Sequence, residues 1–212
     1  MTKVHPGASL NNNSTLITNS SYCSTGSGIL TVWKKSLLFN SDGFTVFDGK
    51  GNLLFRVDDY GSGDIVLMDA SGKSIFTIRR KRLSLIENWM VYEGEKTTNP
   101  ILSMKKQVNF FMGKSTRSCL AQVSLVGKGD EQLVFEIEGS YAKRCCVVYD
   151  DKRRPVAEIC RKEAAVGGVN MGLDVFRLVI DVVMMDPSVA MALVILLDQM
   201  FDSPKTLTHW LR

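Results

Sequence analysis

Apolar residues recur along this chain with two different patterns, which separate a long β-rich part from a single helix. From Leu30 onward, short apolar runs alternate with turns, and near the end Phe176, Leu178 and Ile180 occupy every second position. Because successive side chains of a strand point to opposite faces, this spacing predicts strands that are buried on one face. The pattern predicts about ten to twelve strands in a meander.

Three segments of the meander share one hairpin design. In 46–57, 67–78 and 148–159, an aspartate follows an apolar run and a second β-rich run comes a few residues later. The aspartates are Asp48, Asp69 and Asp150. An aspartate side chain can accept a hydrogen bond from the backbone two residues on, which favours a tight turn. Similar hairpins are predicted over 89–105 and 119–138, and a long last strand over 173–184.

The last apolar run has the length of a helix and no polar side. Val189–Leu197 is apolar without a break, Asp186 is suited to cap the start of a helix, and Pro187 suits its first position. A helix that is apolar all round must be buried all round. From Asp186 to Asp202 it would be about 25 Å long, short of the roughly 30 Å hydrocarbon core of a bilayer. We therefore predict a core helix over 186–202.

These elements predict a closed antiparallel β-barrel of about twelve strands around a central hydrophobic C-terminal α-helix, a mainly β (α+β) fold. Closure leaves no strand edge exposed, and a large barrel has a cavity that an apolar helix can fill. We expect a disordered tail over 1–28, the barrel domain over 29–204, and a second tail over 205–212. Asp198 and Asp202 lie where the helix dipole disfavours anions, so they need basic partners on the barrel.

Composition argues against most kinds of catalysis. The net charge is +4, and the only histidines are His5 and His209, one in each predicted tail. A nucleophile needs a base beside it, and no motif supplies one. Five cysteines without a CxxC pair are typical of a reduced, intracellular protein. We expect no enzyme activity, no metal and no cofactor. Cys145 and Cys146 should point to opposite faces of a strand, with one of them in the core.

In order and spacing, several segments resemble the plant LURP-one-related family, whose fold is of the Tubby C-terminal-like group. They are Leu30–Leu37, Gly43–Asp48, Gly51–Val57, Val66–Lys73, Thr77–Lys81, Cys146–Tyr149 and the run Val189–Leu197. The resemblance implies a twelve-stranded barrel around a C-terminal helix. It also implies kinship with Tubby proteins, which tether to phosphoinositide headgroups, and with phospholipid scramblases. Some family members are linked to plant defence, and the family has no established catalytic activity.

Basic clusters at predicted strand ends are the candidate binding residues. They are Arg79, Arg80, Lys81, Arg82, Lys105, Lys106, Lys143, Arg144, Lys152, Arg153 and Arg154. Several turns of a barrel share one rim, so these clusters could form one patch for a phosphoinositide or another anionic membrane lipid. The alternative is that they are solvated turn charges spread over both rims. No aromatic-interleaved basic motif predicts nucleic acid binding.

The function predicted from these observations is a non-enzymatic binding module at anionic phosphoinositide membranes, in plant defence or stress signalling. We expect an intracellular monomer, cytoplasmic or peripheral at the plasma membrane, with protein partners that the sequence does not identify. One alternative is a scramblase-like protein whose C-terminal helix inserts into the membrane. Another is a transcription-linked adaptor that uses Arg79–Arg82 as a nuclear import signal.

Overall fold

Twelve strands and one helix make up the described part of a computed structural model of the chain. It describes residues 27–37, 42–59, 63–81, 84, 86–107, 119–127, 131–162 and 172–202. The strands are β1 Ser27–Trp33, β2 Asp42–Phe47, β3 Leu53–Asp59, β4 Asp64–Asp69, β5 Ser74–Arg80, β6 Asn88–Glu93, β7 Leu102–Lys106, β8 Cys119–Val126, β9 Glu131–Ser140, β10 Cys145–Asp150, β11 Pro155–Arg161 and β12 Val175–Asp181. The helix, α1, spans Pro187–Phe201.

The strands form a closed antiparallel barrel in sequence order, as predicted. β1 pairs with β2 on one side and with β12 on the other, where Ser27 lies opposite Asp181 and Trp33 opposite Val175. Closure gives every strand two neighbours, so no row of backbone hydrogen-bonding groups is left at an edge. The first strand starts at Ser27, two residues before the predicted domain boundary. The predicted tails lie almost entirely outside the described residues.

The aspartate turns form as the sequence predicts. The Oδ1 atom of Asp48 accepts backbone hydrogen bonds from Lys50 and Asn52, each 2.8 Å long. Asp69 and Asp150 accept the equivalent bonds in their own hairpins. In each hairpin the third residue after the aspartate has a positive φ. Gly51 and Gly72 take this position in two of them, and Arg153 takes it in the third.

The helix occupies the barrel interior. Asp186 caps its start by accepting a 2.8 Å hydrogen bond from the backbone N–H of Ser188, and Pro187 is the first helical residue. Every residue from Ser188 to Asp198 is buried. Inward side chains such as Val32, Leu67 and Ile78 surround it and are themselves fully buried. Within the described residues, no helix is both long enough and apolar enough to cross a bilayer.

The last strand is shorter than the sequence predicts. β12 ends at Asp181, whereas alternation of apolar residues predicts a strand to Met184. The backbone N–H groups of Met184 and Met185 both donate to the carbonyl of Asp181, so the chain turns there towards the helix. Val183 is consequently 79% exposed. The turn is required because the chain must leave the barrel wall before it can enter the interior.

The antiparallel order defines two rims. Odd-numbered strands run towards one rim and even-numbered strands run back, so the connections that follow β1, β3, β5, β7, β9 and β11 share one rim. We call it the helix-end rim, because α1 starts after β12 at the opposite rim and ends here. The connections that follow even-numbered strands form the opposite rim. This topology decides which of the basic clusters lie together.

Candidate functional site: the helix-end rim

Most of the predicted basic clusters lie on the helix-end rim. Arg79 to Lys81 end β5, Lys105 and Lys106 end β7, and Lys143 and Arg144 lie in the turn between β9 and β10. Arg161 and Lys162 at the end of β11 join them, as do Lys34 and Lys35 after β1. Arg82 is outside the described residues. Lys152 to Arg154 lie on the opposite rim, in the turn between β10 and β11.

Arg144 is a buried anchor for the end of the helix. Its side chain is 2% exposed, and its Nη2 lies 2.8 Å from Oδ2 of Asp202, the residue that ends α1. Its other nitrogens donate to the backbone carbonyls of Leu173 and Tyr141. The guanidinium also lies over the rings of Tyr141 and Phe176, at 4.2 and 5.0 Å from their centroids. All of its donor groups face protein, so this cation is part of the fold.

Lys34 supplies the second cation that the helix end needs. Its Nζ lies 2.8 Å from Oδ1 of Asp198 and 3.1 Å from Oδ2 of Asp202. Tyr141 donates a 3.1 Å hydrogen bond to the same Asp198 oxygen. Burial raises the pKa of Asp198 above its ordinary value, even though Lys34 favours the charged form. For the more exposed Asp202, hydrogen bonds from Arg144 and Lys34 outweigh desolvation and lower the pKa.

Lys106 completes the helix end. Its ammonium donates a 2.9 Å hydrogen bond to the backbone carbonyl of Met200 and lies 4.5 Å from the ring centroid of Phe201. A cation beside the last carbonyls of a helix satisfies orphan acceptors and opposes the negative end of the dipole. α1 has no basic residue in its last turn, so the barrel wall provides these cations. The basic partners expected for Asp198 and Asp202 are therefore Lys34 and Arg144, and Lys106 adds a cation beside the last carbonyls of the helix.

Other predicted site residues are paired with carboxylates. Arg79 makes a two-point contact with Asp64, in which Nε donates to Oδ1 over 2.6 Å. On the opposite rim, Arg153 donates to Glu136 and Glu138 at 3.0 and 2.9 Å. Arg154 pairs with Asp150 in the same turn. These contacts neutralise much of the charge that the sequence alone shows as basic clusters.

The remaining cations on the helix-end rim face solvent. Arg80, Lys81 and Lys143 are exposed, and within the described residues none of them forms an ion pair. Lys81 lies beside Asn88 of β6, and Asn88 lies opposite Lys105 of β7. Neighbouring strands are about 4.8 Å apart, so Lys81 and Lys105 are separated by only about 10 Å along the rim. Arg80, Lys81 and Lys143 are therefore the accessible part of the predicted patch, and half-buried Lys105 lies beside them.

Exposed apolar side chains share the rim with these cations. They are Trp33, Leu37, Ile86 and Leu173, with 39 to 52% of each residue exposed. Each of them ends an odd-numbered strand or lies in a connection that follows one. Sequence periodicity could not reveal them, because single apolar residues in turns carry no pattern. Lys35 lies over the ring of Trp33, with its Nζ 5.4 Å from the ring centroid.

The opposite rim has a different character. Carboxylates open its turns at Asp48, Asp69 and Asp150, and Asp186 caps the helix there. The hydrogen bonds from Asn52 lower the pKa of Asp48, and those from Ser71 lower the pKa of Asp69. Asp48 and Asp69 are therefore ionised at neutral pH. Exposed Lys50, Lys73 and Lys152 and exposed Val183 and Met184 also lie on this rim, so it differs from the helix-end rim in the ordered carboxylates that lie among its lysines.

A cavity of about 430 Å³ lies on the outer wall over β3, β4 and β5. Arg56, Asp64 and Glu95 line it together with Val66, Met68, Gly72, Ser74, Thr77 and Thr97. The Arg56 guanidinium lies 3.7 Å from buried Asp58, so a carboxylate already lies beside the cation. With Asp64 and Glu95 in the lining, the cavity has mixed charge and is a poorer match to a polyanion than the rim. Among the described residues, no cluster of histidines, cysteines and carboxylates could hold a metal ion.

Comparison with known proteins places this fold among plant relatives. The family model for LURP-one-related proteins matches residues 29–198. Protein LURP-one-related 8 of Arabidopsis thaliana is 48% identical over 208 residues, covering 96% of this chain and all of the relative. Protein LURP-one-related 17 of the same plant is 39% identical, covering 82% of this chain and 83% of the relative. An X-ray structure of an Arabidopsis thaliana protein superimposes with a TM-score of 0.60 at 25% identity, over 84% of this chain and 94% of that one.

Proposed function

Since this chain belongs to the LURP-one-related family, whose relatives span nearly its whole length, we propose that it is a non-enzymatic module that binds anionic membrane surfaces through the helix-end rim. The observation that carries the proposal is the combination, on the helix-end rim, of exposed cations with exposed apolar side chains that include a tryptophan. The exposed lysines of the opposite rim lie among the ordered carboxylates of Asp48, Asp69 and Asp150. Arg80, Lys81 and Lys143 supply the charge, and Trp33 and Leu37 supply the apolar surface.

Each component has a physical role at a bilayer. A lysine or arginine near an anionic leaflet contributes about 1 kcal/mol of attraction, and a few of them give weak binding that salt screens. Apolar side chains that enter the boundary between headgroups and acyl chains add a contribution that salt does not remove. Tryptophan is suited to this depth because its ring is amphipathic. The combination therefore predicts reversible binding at the surface, with the barrel intact.

The position of the helix supports surface binding over insertion. α1 is enclosed by the barrel wall, and its end is tied to that wall through Lys34, Lys106 and Arg144. Releasing it into a bilayer, as the scramblase-like alternative requires, would expose the apolar barrel interior and break these contacts. A nuclear adaptor that uses Arg79–Arg82 has less support, because Arg79 is engaged with Asp64.

Co-sedimentation of the full chain with vesicles tests the proposal. Vesicles of phosphatidylcholine alone are compared with vesicles that also contain about 30% phosphatidylserine and with vesicles that contain a few per cent of a phosphoinositide, on the order of the anionic lipid content of cellular membranes. Each kind of vesicle is tested over a series of salt concentrations. We expect binding to the anionic vesicles that weakens with salt, and little binding to phosphatidylcholine. Stronger binding to phosphoinositide at equal total charge would identify a headgroup preference. A folded protein that sediments with none of the vesicles would contradict the proposal.

The setting in plant defence or stress that the family resemblance implies is part of the same proposal. A protein that binds an anionic leaflet reversibly could respond to changes in surface charge, because each lost anionic neighbour removes part of the attraction. Imaging a fluorescent fusion in plant cells before and after depletion of anionic lipid would test this step. Retention at the membrane after depletion would count against it.

A further inference from the structure

Two cysteines of one hairpin are opposite each other on its two strands. In the pairing of β10 with β11, Cys145 lies directly opposite Cys160. Both are thiols in this structure. Directly opposite residues of antiparallel strands point to the same face, so the two side chains project together from the outer wall of the barrel.

The spacing suits a disulfide. Opposite residues of an antiparallel pair have Cα atoms about 4.5 to 5.5 Å apart, and disulfides span Cα separations of about 4.4 to 6.8 Å. The Cβ atoms of such a pair are about 4.5 to 5.5 Å apart, against about 3.5 to 4.5 Å in a disulfide. A movement of the order of 1 Å at this end of the hairpin therefore closes the bond. The pair lies at the helix-end rim, where β10 begins and β11 ends.

The surroundings favour reaction at this pair over the other described cysteines. Cys145 is exposed and Cys160 is partly exposed, so a small thiol reagent can reach them. Arg177 of β12 lies directly opposite Cys160 and is exposed. Reactive cysteines are those that lie partly exposed beside cations, because the thiolate is the nucleophile.

The other two described cysteines are protected. Cys146 faces the interior, and burial raises its pKa to about 12, so it stays a thiol at neutral pH. Desolvation raises the pKa of Cys119, and Glu136 and Glu138 add to this effect. Cys119 lies opposite Glu138 on β9, so no thiol faces it there.

We propose that Cys145 and Cys160 form an oxidisable dithiol site on the outer wall, which exchanges with low-molecular-weight disulfides of the glutathione type. The thiolate of one cysteine attacks a sulfur of the external disulfide, forms a mixed disulfide and releases one thiolate. The second cysteine then attacks the protein sulfur of that mixed disulfide and releases the second thiolate. The balance is one protein dithiol and one external disulfide giving one protein disulfide and two external thiols.

The dithiol site does not depend on the proposed membrane binding, and its test measures only the oxidation of thiols. The reduced full-length chain is incubated with oxidised glutathione at neutral pH, quenched with acid, alkylated and analysed by intact mass and peptide mapping. We expect loss of two thiols without retained glutathione, a peptide that links Cys145 to Cys160, and full reversal by dithiothreitol. Cys145→Ser and Cys160→Ser should each abolish the linked peptide and retain one glutathione on the remaining cysteine.

Cys119→Ser is the matched control and should form the Cys145–Cys160 bond as the original chain does. Circular dichroism before the reaction verifies that every variant is folded. The inference is overturned if the folded chain only accumulates mixed disulfides with glutathione, if it does not react, or if the linked peptide joins a different pair. It is also overturned if either single variant loses two thiols to an internal bond as readily as the original chain.

Discussion

Arg144 and Asp202 join the barrel wall to the end of the helix inside it, with Nη2 and Oδ2 2.8 Å apart. Arg144 lies in the turn between β9 and β10, and Asp202 ends α1, so the contact spans two elements that are far apart in the chain. Tyr141 and Lys34 extend it to Asp198, one helical turn earlier. The network explains how two aspartates are tolerated at the negative end of a helix dipole.

Arg144→Ala should therefore be strongly destabilising. The change removes a buried cation from Asp202, removes the side-chain donor to the Leu173 carbonyl, and opens a gap beside Phe176. The Tyr141 carbonyl keeps its hydrogen bond from the backbone N–H of residue 144. Breaking a buried, hydrogen-bonded ion pair typically costs about 3 to 5 kcal/mol, and the partial exposure of Asp202 places the expected loss near the lower figure. Urea unfolding measures it. Arg161→Ala, on an exposed arginine of the same rim, is the control and should change stability by less than about 0.5 kcal/mol.

The two aspartates should respond to pH with opposite signs. The folded pKa of Asp202 is lowered, so its ionised form stabilises the protein above its unfolded pKa, and this contribution is lost as the pH falls through the folded pKa. The folded pKa of Asp198 is raised, so the ionisation of Asp198 reduces stability as the pH rises from its unfolded value through its folded value. From pH 3 to pH 7, roughly the range that spans both transitions, the loss in free energy of unfolding caused by Asp202→Asn should thus grow. The loss caused by Asp198→Asn should shrink over the same range.

Urea midpoints of the two variants and the original chain, measured over that range, test this opposition. Equal trends for both variants would show that the charges act as one delocalised cluster and would contradict the assignment. An Asn at position 198 can still accept the hydrogen bond from Tyr141, so the comparison isolates charge from hydrogen bonding.

The helix interior gives the largest expected effect. Leu193→Asp places a carboxylate at a residue that is 1% exposed and belongs to the apolar core cluster. An unpaired buried charge costs several kcal/mol, a large part of a typical domain stability of about 5 to 15 kcal/mol. We expect an unfolded or insoluble protein. Val183→Asp, 79% exposed in the turn before the helix, makes the same chemical change and should be tolerated. A native near-UV circular dichroism spectrum for Leu193→Asp would contradict the central position of the helix.

One hairpin contains a matched pair of glycines. Gly51 has φ +86°, and a Cβ atom there would meet nothing within 4 Å. The cost of Gly51→Ala is then conformational alone, about 1 kcal/mol. Gly49, in the same turn, lacks the positive φ, and its nearest neighbour would be the Ile29 carbonyl at 3.7 Å. Gly49→Ala should be neutral or slightly stabilising, because it restricts the unfolded chain. Thermal unfolding of the two variants measures the difference, and equal losses of stability would contradict the assignment of the positive φ to Gly51.

The sequence predicts the fold well because both of its signals are local. Alternation defines the strands, and the unbroken run from Val189 to Leu197 can only be buried, so barrel and central helix follow together. The end of β12 is predicted wrongly because Val182 and Met184 continue the alternation after the chain has turned at Asp181. Periodicity reports which face a side chain would occupy in a strand, and it carries no signal for where the backbone leaves the sheet.

The candidate site is only partly predictable, for the opposite reason. Basic clusters are visible in the sequence, but their partners are distant: Asp64 for Arg79, Asp202 for Arg144, and the Met200 carbonyl for Lys106. The sequence does not distinguish a basic turn residue that is solvated from one that forms an ion pair or a hydrogen bond with a distant group. The separation into engaged and exposed cations depends on strand pairing and on where the helix ends, and the register of the β10–β11 hairpin places Cys145 opposite Cys160.

Binding of anionic membranes through the helix-end rim, rather than through any other surface, is tested most directly by two charge-reversed double variants. Lys81→Glu with Lys143→Glu changes exposed residues of that rim, and Lys50→Glu with Lys152→Glu makes the same change in net charge on the opposite rim. Both are compared with the original chain by sedimentation with phosphatidylserine and phosphoinositide vesicles. We expect the first variant to lose binding by tenfold or more, since two cations that each contribute about 1 kcal/mol of attraction are replaced by anions. The second variant should bind nearly as the original chain does. Equal losses in both variants would show that net charge alone governs binding and would contradict a defined membrane-binding rim.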